Sequence, residues 1–173
     1  MTERAVVWVT EGTWPACVDA ARAWVPEGMD VVLVHVSGTE IGAAQGALAG
    51  LFGRGRRGPD PAAQIDALSA EAAEDLLNRA AEQLGRPAAT EHRTGRVERE
   101  VVNAAEGASL LICARDGEQS RLGPHSLGKH ARFVVDHAPC PVLLVWPVDT
   151  PGVDSIPPPP PPGHEPPPPP HER

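Results

Sequence analysis

Residues 109–146, SLLICARDGEQSRLGPHSLGKHARFVVDHAPCPVLLVW, constrain this chain most, because they read in order as strand, glycine-punctuated loop, helix and strand. Ser109–Ala114 is an apolar run without helical spacing, which predicts a strand covered on both faces of a parallel sheet. Gly117, Gly123 and Gly128 then punctuate a polar stretch. From Leu127 to His137 the apolar residues Leu127, Ala131, Val134, Val135 and Ala138 recur every three to four positions, which predicts a helix. Pro139 stops that helix and Pro141 opens a last strand, Val142–Trp146. A glycine loop that feeds a helix start presents backbone amides suited to anions, so the candidate ligand site lies in the 115–128 loop.

The upstream chain supplies the rest of such a sheet. Ala5–Thr10 reads as a strand, and Pro15–Trp24 as a helix with Thr13 as an N-cap. Asp30–Val36 is a second β-branched strand, so the pair forms a βαβ unit with a right-handed crossover. Residues 37–60 are a glycine-rich connection containing GRGRRG at 53–58, read as a solvated loop. Asp60-Pro61 starts a helix that runs over Ala62–Leu84 until Gly85 and Pro87 end it. Ala88–Arg93 is a short third strand and Val97–Ala105 a third helix. Five strands alternating with four helices make a single doubly wound, three-layer α/β domain over residues 1–147.

Beyond it, residues 148–173 form a proline-rich tail with unbroken runs at Pro157–Pro162 and Pro166–Pro170. Such runs favour polyproline II and cannot build a core, so disorder or a semi-rigid spacer is expected, with a proline-binding module as a candidate partner. The remaining chain is long enough to bury roughly 68–70% of its unfolded surface. With 3% aromatic residues and no tyrosine, that core must be mostly Val, Leu and Ala. A formal charge of −8 argues against nucleic acid and anionic membrane as partners. No stretch approaches the roughly 18 to 20 apolar residues of a membrane span. Met1–Arg4 lacks the basic and apolar regions of a signal peptide, so a cytoplasmic address is expected. Cys17, Cys113 and Cys140 have no C-x-x-C spacing, which fits a reducing compartment.

ARDG, the later LGK that opens a helix, and above all HAPCPVLLV at 137–145 together resemble the universal stress protein family, over roughly residues 4–147. The resemblance implies a Rossmann-like sheet of the adenine nucleotide alpha hydrolase type, strand order 3-2-1-4-5, with the topological switch between the first and fourth strands. It also implies a homodimer through the last strand, Val142–Trp146, and in some members ATP with magnesium as ligand. Glu11 and Gly12 stand where such proteins hold the adenosine portion, and Val36 where the adenine is lined. Glu11 would then lie beside the 115–128 loop, while Gly117 and Gly128 would cradle phosphates and Lys129 would add a cation. ATP-binding members carry Gly, two residues, Gly, nine residues, Gly, then Ser or Thr. Here Ala114 replaces the first glycine, Gly128 comes one residue late, and Lys129 replaces the hydroxyl.

Other chemistries find weaker support. GPHSLGKH at 123–130 matches a Walker A loop, but His130 replaces the magnesium-binding hydroxyl and the loop does not directly follow a strand. His35, His92, His125, His130 and His137 lack the spacing of a structural zinc site, and no catalytic residue is assigned. A phosphorylatable receiver domain is excluded by Arg93-Thr94-Gly95 after the third strand. The expected role is a binding or regulatory protein in the stress response. The alternatives are a nucleotide-hydrolysing enzyme using the same loop and an interaction protein with a vestigial pocket.

Overall fold

Valine-rich β1 (Arg4–Trp8) and β2 (Asp30–Gly38) pair in parallel, with Ala5 opposite Val31 and Val7 opposite Leu33. The structure is a computed structural model and describes residues 3–38 and 61–159. The GRGRRG segment and residues 160–173 lie outside the described residues. α1 (Trp14–Trp24) connects the two strands. α2 (Pro61–Leu84) leads to β3 (Ala89–Gly95), α3 (Val97–Ala104) to β4 (Leu110–Ala114), and α4 (Lys129–His137) to β5 (Val142–Val145). All pairings are parallel, in the order β3-β2-β1-β4-β5 that the resemblance implies.

Alternation along buried strands sends successive side chains to opposite faces, and the core divides accordingly. Ala5, Val7, Val31, Leu33 and Ile112 pack against α1 and α2 through Cys17, Val18, Leu76 and Leu77. Val6, Trp8, Val34, Leu111 and Cys113 pack against α3 and α4 through Val101, Ala131 and Val134. Both faces of the central strands are therefore dry, which explains their unbroken apolar runs. Burial pushes the Cys17 and Cys113 thiols up to about 12, leaving them protonated and inert at neutral pH.

Several boundaries differ from the sequence expectation for identifiable reasons. α4 begins at Lys129 rather than Leu127, because Leu127 is extended and packs partly buried against the α3/α4-side core. Thr13 occupies the N-cap position of α1 without a capping bond, its hydroxyl instead donating to the Thr10 carbonyl at 3.4 Å. β3 continues to Gly95, paired with Gly38, although its side chains are polar. Within the stretch expected to be disordered or a semi-rigid spacer, residues 148–159 carry a short 3₁₀ turn at Val153–Ser155, whose Ser155 hydroxyl accepts a hydrogen bond from Leu122 N. No helix among the described residues is long and apolar enough to cross a membrane.

Candidate functional site

The winding direction reverses between β1 and β4, so the carboxyl ends of these strands open onto the crevice where such sheets hold ligands. The chain leaves β4 at Ala114 and turns through 115–128 before entering α4. The first amides of a helix have no partner within it, and the N-cap Gly128 has no side chain to offer them. Asp116 meets that need from across the loop. Its Oδ1 accepts from Gly128 N at 2.7 Å and its Oδ2 from Ala131 N at 3.1 Å. The negative carboxylate also faces the positive end of the helix dipole.

The loop is held closed from several directions. Gly117 N donates to Ser126 O at 3.0 Å, and Glu118 N to His125 O at 2.8 Å. Gly117 lies so close to the returning strand of the loop that an added Cβ would sit 2.3 Å from His125 O and 2.8 Å from Gly128 N. The Arg115 guanidinium donates to the Ser126 hydroxyl and stacks 4.8 Å from the Trp146 ring centroid. Arg132 reaches the Pro124 carbonyl at 2.6 Å. From the C-terminal turn, Ser155 Oγ accepts Leu122 N at 2.9 Å.

The cavity at the switch point measures about 30 Å³ and is lined by Trp8, Thr10, Thr13, Ala114 and Asp116. That volume holds a water or two, whereas ligand pockets run from about 300 to 1,000 Å³. Trp8, one of its walls, is 6% exposed and packs into the core on the α3/α4 side. A second hollow, of about 170 Å³, lies between Arg121–His125 and Pro157.

A second buried carboxylate ties α4 to α3. Glu98, 3% exposed, receives Arg96 Nε at 2.5 Å and His130 Nδ1 at 2.9 Å. Burial alone would raise its pKa, but hydrogen bonds from its own backbone amide, Arg96 and His130 together hold it at about 2. Because that lies below the ordinary 4.5, the ionised form stabilises the fold above pH 4.5, and the contribution is lost as pH falls from 4.5 towards 2. Glu98→Gln is expected to cost about 1–3 kcal/mol at neutral pH and to flatten the acid limb of the stability curve. Urea unfolding at pH 7 and pH 3 measures both. An equal acid dependence in the variant would refute this role for Glu98.

The sequence profile of the Universal stress protein family matches residues 16–145. The chain belongs to the universal stress protein family. Among solved structures, hypothetical protein MJ0577 is similar at a TM-score of 0.61 and 18% identity, covering 87% of this chain and 99% of that one. Hypothetical protein PH0823 matches at 0.57 and 20%, covering 86% and 99%. A universal stress protein crystallised in complex with cAMP matches at 0.51 and 17%, covering 85% and 98%. Likeness at these identities establishes the fold. No curated protein matches the chain.

In this universal stress protein the residues named from the sequence are only partly gathered. Ala114, Gly117, Gly128 and Lys129 come together around the loop and the start of α4. Glu11 is drawn outward to an exposed ion pair with Arg79 of α2, at 3.3 Å. Gly12 follows it with a φ of +84°, a conformation that favours glycine. Val36 is buried in the core facing α3 and α4. The Walker-like GPHSLGKH contains a 3₁₀ turn at Pro124–Ser126, and eight residues separate Ala114 from Gly123, so it is not a strand-to-helix phosphate loop. Sequence reading missed Asp116, Trp8 and Glu98. His35 and His92, weighed from the sequence only as zinc ligands, stack their rings 5.9 Å apart across β2 and β3. Burial, then the neighbouring His35, lowers the His92 pKa. Among the described residues no group of three or more His, Cys, Asp or Glu side chains is placed to hold a metal ion.

Proposed function

We propose that this universal stress protein is a non-catalytic regulatory protein of the cytoplasmic stress response, acting through protein contacts rather than through bound ATP and magnesium. The observation that carries this reading is the small cavity at the switch point, about 30 Å³ and lined by Trp8, Thr10, Thr13, Ala114 and Asp116. Its contact surface is the free edge of β5, an apolar strand whose outer backbone groups lack a partner among the described residues and suit pairing with a second copy. The proline-rich tail offers a further surface, for a proline-binding module.

Calorimetric titration of the full chain with Mg-ATP, and with cAMP because a structural neighbour was crystallised with it, tests this. The expected result is no binding heat, no nucleotide released on denaturation, and a solution mass twice the 18.2 kDa of one chain. Micromolar binding would overturn it and favour a second reading, a nucleotide-binding protein. That reading has one observation in its favour. Lys129 opens α4 and makes no ion pair among the described residues, so its ammonium is available to a phosphate. Hydrolysis of nucleotide would in turn require this binding.

A further inference from the structure

We propose that Gly152–Pro157 is a releasable strap across the 115–128 loop, and that a proline-binding module taking the run that starts at Pro157 must lift the strap and free the loop tip. This rests on the tail partner in the reading above and adds what its binding does to the domain. A proline-rich segment has little to fasten it, because proline lacks an amide donor and favours an extended backbone. This one is fastened nonetheless. The Ser155 hydroxyl donates to Gly152 O at 2.6 Å, which closes the 3₁₀ turn. The same oxygen accepts from Leu122 N at 2.9 Å, which ties the turn to the loop 33 residues upstream. Two residues further on, Pro157 walls the 170 Å³ hollow together with Arg121–His125. The chain therefore meets the loop at two successive points.

The fastening is shallow. Val153 is 74% exposed and Ile156 53%, so neither apolar side chain anchors the strap in the core. One neutral hydrogen bond then carries much of the closure, and such a bond shifts an opening equilibrium by only about tenfold. A segment of that stability opens locally while its domain stays folded. The base of the loop is held separately, by Gly117 N on Ser126 O and Glu118 N on His125 O, and neither bond involves the strap. Lifting it frees the tip around Leu122 and leaves the base in place. The hollow is far too small to admit a folded module, so one that seats the run from Pro157 cannot slip between strap and loop. Closure and capture exclude each other, and each must weaken the other by the same factor.

The probe is an SH3 domain selected against the synthetic peptide Ile156–Pro162, titrated into the full chain and into Ser155→Ala. It is expected to bind Ser155→Ala about tenfold more tightly than wild type, since less of the variant is held closed. Hydrogen exchange supplies a measurement that needs no variant. In wild type saturated with the domain, the Leu122 amide should exchange about tenfold faster than in the free chain, while the Gly117 and Glu118 amides keep their rates. Equal affinity for wild type and Ser155→Ala overturns the proposal, as does a Leu122 amide that stays protected in the complex. Binding to neither chain overturns it together with the tail's part in the functional reading. A wild type that binds Mg-ATP yet shows both tenfold differences sinks the nucleotide-free reading alone.

Discussion

Gly117→Ala is expected to lower the unfolding temperature by roughly 10 °C, corresponding to about 3 kcal/mol for a domain of this size. The added methyl would lie 2.3 Å from His125 O, 2.8 Å from Gly128 N and 2.9 Å from the Ser126 carbonyl carbon. All three are backbone atoms, so no side chain can rotate to make room. Relief requires separating the two halves of the loop, which breaks the Gly117–Ser126 and Glu118–His125 hydrogen bonds. That movement would also carry Asp116 away from the start of α4, so the loss spreads to the helix. A thermal melt followed by circular dichroism reads the effect, and a shift below about 2 °C would mean that the loop is not packed this way.

Trp8→Ala is expected to cost about 3–5 kcal/mol, the range for removing a buried tryptophan. Trp8 is buried in the α3/α4-side core and also lines the switch-point cavity. Its removal would merge a new void with the existing 30 Å³, and that enlarged space should accept an indole-sized molecule. Chemical unfolding gives the cost directly, and added indole should recover part of it. A loss under about 1 kcal/mol would show that the ring is not packed into this core.

The sheet was legible because its central strands are buried on both faces and therefore spell continuous apolar runs, as AVVWV and LLICA do. β3 was harder. It is an edge strand with alternating polar residues, and its extension to Gly95 depends on pairing with β2 rather than on its own composition. The start of α4 was placed early because Leu127 has the right spacing for a helix, yet its burial is satisfied in an extended segment. In the site, Gly117 and Gly128 could be found from spacing alone, since close backbone approach leaves glycine as its trace. Asp116 could not. Caps are read from neighbours in sequence, and its partners lie 12 and 15 residues downstream. Glu98 and His130 meet across 32 positions, and nothing in either local segment marks them as a pair. The outward turn of Glu11 likewise depends on Arg79, 68 residues away.

The four tryptophans, in a chain without tyrosine, also make this molecule an optical instrument. Trp14 is buried beneath Arg79, Trp146 lies under Arg115, and Trp24 is 72% exposed. Trp8 alone among them borders the switch-point cavity. A chain in which the other three are replaced by phenylalanine would emit from that one position, with no tyrosine background. Anything that enters the crevice, displaces Asp116 or opens the loop would then register as a change in colour or intensity, without a label and in real time.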